Sequence, residues 1–246
     1  MQHFFKLLAL AVTFFLTACG GGQQFQHSNY AIQVNNFQTA SFLSENQRTL
    51  PPFGYVDFCM REPEECPEWR NTKQYMSDFS PTAATNIPAY GASSAVRPSQ
   101  KKSSYSYVQK RSHLSKGEVL RQLHQVNRLV NIAVKPVTDA EGFGVTENWR
   151  IPDISGFYGD IGDCEDYALL KRKILAQNGY HYNDLSMAVV KQSNGNIHAV
   201  LVVRTDYGDY VLDNLDKRVK PWHATHYGWI KKQSISNPAI WVAVSA

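Results

Sequence analysis

Apolar residues return at helical spacing after residue 114. Val119, Leu120, Leu123, Val126, Val130, Ala133 and Val134 fall on one stripe, which predicts an amphipathic helix. Ser115-Lys-Gly-Glu118 opens it as a capping box, and Pro136 marks its end. A second helix is predicted from Cys164 to about Asn178. Asp163 is its N-cap, Ala168, Leu169, Ile174 and Leu175 its apolar face, and Gly179 its stop. Beyond it the period changes. Leu185–Val190, Ile197–Val203, Tyr210–Asp213 and Ile240–Val244 are β-rich runs, with turns at Asn194-Gly195 and Asp206–Asp209. Helices followed by an antiparallel meander predict an α+β domain.

Patterning is weak before that core. Residues 19–50 are polar and predict a linker, opened by the flexible Gly20-Gly21-Gly22-Gln-Gln tether. Residues 51–110 predict a loop-rich segment. Pro51, Pro52, Gly54 and two cysteines make its first part an irregular staple, and 77–106 are rich in Ser, Thr, Ala, Pro and Tyr without a period. The folded core is expected over 111–246. Within it, Thr138–Gly162 carries many glycines and acids and predicts a long functional loop.

The first residues are an address. Lys6 precedes an apolar stretch from Leu7 to Leu16, then Thr17-Ala18-Cys19. A positive start, a short apolar region and a small-residue cleavage site predict an export signal over 1–18, too short for a membrane-spanning helix. Leu16-Thr17-Ala18-Cys19 resembles a bacterial lipobox, in which Cys19 is lipidated and becomes the first mature residue. The alternative is an ordinary signal peptide with a chance cysteine. Gly20 at the next position favours the outer membrane, so the expected location is the periplasm, on a lipid anchor.

Composition excludes little else. Hydrophobic residues are 43% and charged residues 19% of 246, the balance of a globular protein with a core. The net charge of +4 comes from scattered basic residues, which gives no reason to expect nucleic acid as a partner. Export implies an oxidising compartment, where three remaining cysteines are an odd count. Cys59 and Cys66 look like a local disulfide. Zinc is the rival, though no second Cys/His pair stands at ligand spacing. Cys164 is then the free thiol.

That thiol stands at the first turn of a predicted helix, where free N–H groups and the helix dipole favour a thiolate. Cys164 is a candidate nucleophile; the alternative is a small buried apolar cysteine. A nucleophile needs a base, and the base an orienting group. His198 interrupts an apolar strand and Asp213 closes the next one. Taken alone, the first is more often a core histidine and the second a turn residue. Pairing parity puts both on the same face, offset in a tight hairpin and directly opposed with a looser loop or a bulge.

Gly162-Asp163-Cys164-Glu165-Asp166-Tyr167, Ile197-His198-Ala-Val-Leu201 and Leu212-Asp213-Asn214 resemble the bacterial transglutaminase-like cysteine peptidases, a family that includes a periplasmic adhesin-releasing protease of biofilm dispersal. Trp149-Arg-Ile-Pro152 resembles the segment leading into the nucleophile, and the Cys59/Cys66 segment looks like the cysteine-paired branch of the family. The resemblance spans roughly residues 50 to 246. It implies a papain/transglutaminase-like fold and a thioester mechanism, with Cys164 as nucleophile, His198 as base and Asp213 as orienter. The Cys164 N–H is the expected oxyanion donor, with Trp149 a second. The resemblance also implies calcium beside the nucleophile, held by Asp163 and Glu165, with Asp153, Asp160 and Asp166 able to complete an oxygen shell. Otherwise Asp163 and Asp166 only cap the helix. Implied partners are a protein substrate such as a surface adhesin, and an inner-membrane regulatory receptor. Competing functions are a cell-wall peptide amidase or endopeptidase, a non-catalytic binding module on the same fold, and amide cross-linking.

Overall fold

The computed structural model describes residues 40–67, 69, 114–156 and 159–245. The signal segment, Cys19 and the stretch 77–106 lie outside them. Among the described residues no helix is long and apolar enough to cross a membrane.

Helix α1 spans Phe53–Arg61, where composition predicts an irregular segment. The reason is a short apolar face, Tyr55, Phe58 and Cys59, buried in the main core. Tyr55 is the hub: its ring centroid lies 5.7 Å from Trp149 and 5.4 Å from Trp241. Gly54 permits this approach, since a Cβ there would stand 2.6 Å from the Trp149 Nε1. Cys59 and Cys66 are disulfide-bonded, with Cα atoms 5.5 Å apart.

Helix α2 (Lys116–Ala133) starts at Ser115 with the expected reciprocal cap. The Glu118 N–H donates to Ser115 Oγ at 3.3 Å and the Ser115 N–H to Glu118 Oε2 at 2.8 Å. Val119, Leu123, Val126 and Val130 are buried, as the stripe predicts, together with Asn127. The helix stops at Ala133, and Val134–Pro136 continues as strand β2, paired in parallel with β3 (Asp160–Gly162). The expected long loop between them also contains a short helix, α3 (Asp139–Phe143), with its own Thr138/Glu141 capping box.

Helix α4 spans Cys164–Gln177. Asp163 occupies the N-cap position but makes no side-chain capping bond, contrary to expectation. Its carboxylate instead accepts from the Asp139 N–H at 3.4 Å. Nine of its 14 residues are buried, including Lys171 and Arg172, because α2 covers one side and the sheet the other.

The sheet has seven strands: β1 (Ser44–Thr49), β4 (Leu185–Lys191), β5 (Ile197–Thr205), β6 (Gly208–Leu212), β7 (Lys220–Pro221), β8 (Gly228–Gln233) and β9 (Trp241–Ser245). Their order is β1-β9-β8-β4-β5-β6-β7, antiparallel throughout. The expected meander is the run β4-β5-β6. Strand β8 departs from it, lying between β4 and β9. It carries Lys231 and Lys232, and the buried Lys232 Nζ donates to Glu45 on β1 at 2.5 Å and to the Gln233 carbonyl at 3.0 Å. The end of the expected linker therefore belongs to the fold. Leu43 is buried, its N–H donates to Asp209 Oδ2 at 2.9 Å, and Glu45 also accepts from the Ile235 N–H at 2.9 Å.

Candidate active site

Cys164 is the first residue of α4, and α4 packs on β5. The half-buried thiol therefore faces the strand that carries His198. The Ala199 N–H donates to Cys164 Sγ at 3.4 Å, and the thiol itself donates to Glu165 Oε2 at 3.1 Å.

His198 and Asp213 are buried, 3% and 4% exposed, and joined by His198 Nε2 to Asp213 Oδ1 at 2.9 Å. The hairpin register that produces this contact pairs Leu201 with Leu212 and Thr205 with Gly208. Continued one step, it sets Asp213 beside Val200, two residues from His198 and on the same face. The hairpin turns over Asp206 and Tyr207, one residue earlier than one closed between Asp206 and Asp209, so the two side chains stand offset by one pair and close the diagonal. Asp213 also accepts from the Leu215 N–H at 2.9 Å and from the Tyr227 hydroxyl. Burial alone would raise its carboxyl, but the bonds from His198, Tyr227 and Leu215 hold it below the ordinary carboxylate value. An ionised carboxylate only accepts, so Nε2 carries the proton and Nδ1 is the basic nitrogen.

Tyr227 is a residue that sequence reasoning missed. Its ring lies 5.7 Å from that of His198 while its hydroxyl holds the other side of Asp213. It sits after the unremarkable stretch His223-Ala-Thr-His226, and no spacing rule singles it out.

The acids separate into two sets. Asp163, Cys164 and Glu165 form one close group, and Asp139, Asp163 and Asp166 another, with ligand atoms within 4.8 Å of one another in each. Asp139 Oδ1, Asp163 Oδ1 and Asp166 Oδ2 are buried with no hydrogen-bond partner among the described residues. Orphaned buried carboxylate oxygens converging from three positions fit a hard cation. Gly162 admits one of them, since a Cβ there would lie 2.7 Å from Asp166 Oδ2. Asp139 was not foreseen, although Thr138-Asp-Ala-Glu141 is a legible capping box. Asp153 and Asp160 stand apart from both groups. Asp160 is bound by Arg150 and by the Asp153 N–H, and Asp153 closes a turn onto Ser155.

These acids set the local electrostatics. Burial, then repulsion from Asp163 and Asp139, pushes the Asp166 carboxyl up to about 8. Burial and Asp163 push Glu165 up to about 9. Burial first, then the Glu165 charge, pushes the Cys164 thiol well above its ordinary range. The helix dipole does not prevail here.

Trp149 is not placed as an oxyanion donor. It is buried in the core and its indole N–H donates to Glu147 Oε2 at 2.8 Å. A cleft of about 850 Å³ lined by Arg61, Arg150, Ile154, Lys173 and Gln177 borders none of Cys164, His198 and Asp213. A smaller cavity of about 130 Å³ lies against Asp213 and Tyr227. The chemistry is thus placed by the helix–sheet contact, not by the larger cleft.

A thiol at a helix N-terminus, packed on an antiparallel sheet beside a buried His–Asp pair, has the layout of a cysteine peptidase with a papain/transglutaminase-like fold. Residues 88–246 match the family described as bacterial transglutaminase-like cysteine proteinase BTLCP, and the chain belongs to that family. Among solved structures it is similar to Legionella pneumophila LapG. The calcium-bound form is 22% identical with a TM-score of 0.43, covering 56% of this chain and 76% of that one. The EGTA-treated form is 22% identical with a TM-score of 0.41, covering 56% and 75%. No curated protein matches.

Proposed function

We propose that the chain is an exported, lipid-anchored, calcium-dependent cysteine peptidase that hydrolyses a peptide bond in a cell-surface or periplasmic protein. The observation that carries this reading is the contact between the helix bearing Cys164 and the strand bearing His198, with Asp213 bonded to His198 Nε2 at 2.9 Å. Family membership supports a protein substrate, and a surface adhesin is the class we favour. The Leu16-Thr17-Ala18-Cys19 segment supports export and lipidation of Cys19.

The residues divide the work as follows. His198 Nδ1 takes the proton of the Cys164 thiol as sulfur attacks the scissile carbonyl carbon. The carbonyl oxygen becomes an oxyanion, for which the Cys164 N–H at the free end of α4 is a donor. The C–N bond breaks, the leaving amine takes the proton from His198, and a thioester remains on Cys164. Water then attacks the thioester, giving a proton to His198. The C–S bond breaks and the sulfur regains its proton. Asp213 keeps the imidazole in the required tautomer throughout. Asp139, Asp163 and Asp166 would hold calcium, with Glu165 adjoining. When bound, the ion supplies positive charge that offsets the acids beside the nucleophile.

The test compares surface-protein release from cells carrying the wild type or Cys164→Ala. Loss of release with an unchanged fold is expected, and release that persists in the mutant would overturn the assignment of Cys164. For the anchor, Cys19→Ser should shift the protein from the membrane fraction to the soluble periplasm. Equal fractionation would refute it.

A further inference from the structure

Helix α1 holds Trp149 at both of its ends, yet neither α1 nor any residue on it takes part in the acyl-transfer steps. Gly54 lets the start of the helix lie against the indole. At the last residue, Arg61 Nη2 donates to the Trp149 carbonyl at 2.8 Å. Arg61 is itself fixed. Its Nε donates to Asp57 Oδ2 at 2.9 Å, one helical turn back, and the Cys59–Cys66 disulfide closes the chain around it.

The carbonyl that Arg61 holds belongs to the same peptide unit as the Arg150 N–H, and that N–H donates to Asp166 Oδ1 at 2.8 Å. A trans peptide is rigid and planar, with its C=O and N–H pointing in opposite directions. A guanidinium on the oxygen therefore fixes the direction of the N–H across it. It also polarises the unit, which makes the N–H a stronger donor. The donation occupies one oxygen of Asp166 and leaves the other, Oδ2, without a partner among the described residues. Asp166 is 0% exposed, so its orientation is set by what it bonds. Two residues before Arg150, the Asn148 N–H donates to Asp139 Oδ2, and Asp139 Oδ1 is left in the same condition. Asn148-Trp149-Arg150 is thus a rail that bears two of the three clustered acids, and Arg61 holds its backbone.

We propose that Arg61 is a positioning residue for the cation site: from the disulfide-closed loop it orients the Trp149–Arg150 peptide, which turns the free oxygen of Asp166 towards the ion. The inference rests on reading Asp139, Asp163 and Asp166 as the calcium site. The bonds of Arg61 go to Asp57 and Trp149 and not to the acids, so it acts through one peptide unit. A carboxylate held by outer partners has its geometry set before the ion arrives, and loss of a direct outer partner costs about 10- to 100-fold in metal affinity. Arg61 stands one peptide further out, so its removal should cost about 5- to 10-fold.

The test is calorimetric titration of calcium into the metal-free full chain. Glu65 provides the control. It lies in the same disulfide-closed loop, but its partner is Lys173 Nζ at 2.5 Å and not the Trp149 peptide. Arg61→Ala should raise the calcium Kd about 5- to 10-fold, Arg61→Lys should recover part of that, and Glu65→Gln should leave Kd unchanged. A merely structural role would weaken binding alike in Arg61→Ala and Glu65→Gln. In metal-free Arg61→Ala the Arg150 amide proton should also move upfield by NMR, since its donation weakens. Should Arg61→Ala fail to fold, Arg61→Gln takes its place in both measurements. An unchanged Kd or an unmoved Arg150 amide, or an equal loss of affinity in Glu65→Gln, would overturn the proposal. If the wild type itself binds no calcium, the reading of the acids fails and the inference falls with it.

Discussion

Removing calcium should destabilise the protein most at high pH, opposite to ordinary acid denaturation. The perturbation is chelation of the cation that we place among Asp139, Asp163 and Asp166. Their ligand atoms lie within 4.8 Å of one another. At an effective dielectric near 20, two unit charges at that separation repel by about 3–4 kcal/mol. The metal-free chain escapes part of this by taking up protons, which is why Asp166 is pushed up to about 8 and Asp139 is also raised, in both cases by burial first and like charge after it. The sign follows. A carboxyl raised by folding stabilises the native state below its unfolded value, 3.8 for Asp166, and that stability is lost as pH rises through the folded value. Allowing for relaxation and water entry, about 2–3 kcal/mol should disappear between about pH 5 and pH 8. For a domain of this size that is a fall in Tm of roughly 5–10 °C. The assay is thermal unfolding by circular dichroism across that range, in EGTA and in calcium. Magnesium should restore less than calcium, since it demands a tighter octahedron. Asp166→Asn should flatten the EGTA curve. A gap between the two curves that is constant with pH, or largest in acid, would refute the reasoning.

Asp213→Asn should lower kcat/KM by about 10²-fold, because the amide still orients His198 but no longer supports its positive charge. Tyr227→Phe removes one of the bonds to Asp213 and should cost about 10-fold in kcat with KM nearly unchanged; an unaltered kcat would leave Tyr227 as packing only. Replacing Cys59 and Cys66 by serine opens a short loop and should cost about 2–3 kcal/mol. Calorimetry of the double variant should match that of reduced wild type, and equal Tm in both redox states would refute the stabilising role.

What was legible in the sequence depended on how locally each feature is determined. The α2 cap and stripe, the start of α4 and the strands β4 to β6 follow from nearest neighbours along the chain. Cys164, His198 and Asp213 could be singled out because each departs from its surroundings: a free thiol at a helix start, a histidine in an apolar strand, and an acid closing one. Tyr227 and Asp139 depart from nothing nearby, and their partners are 14 to 27 residues away. The same holds for β1. Ser-Glu-Asn-Gln-Arg-Thr49 is polar on both faces and forms a strand because β9 supplies the pairing and buried Lys232 supplies a charge for Glu45. The irregular staple failed for a related reason. Pro51 and Pro52 suggest loop, but Pro52 only precedes α1, and Tyr55, Phe58 and Cys59 gain enough buried area in the main core to fix a helix.

The one conflict that local signals could not resolve is the charge at Cys164, and magnitudes resolve it. A helix N-terminus stabilises an anion by about 0.3–1 kcal/mol, and about 2 kcal/mol in a favourable buried geometry. Glu165 accepts from the thiol at 3.1 Å; its carboxyl, raised to about 9, largely keeps a proton at neutral pH, and ionising both groups at that separation would cost about 5 kcal/mol at a dielectric near 20. Asp163 and burial add to it. The dipole is outweighed, so a helix start alone does not explain a competent nucleophile in this chain. In the proposed triad His198 Nδ1 would supply one remedy, since a thiolate beside an imidazolium is a pair and not a lone anion. A cation on the flanking acids supplies the other, cancelling the charge that raises the thiol. On the proposed reading, the acids oppose the nucleophile in the bare chain and would support it once they held calcium.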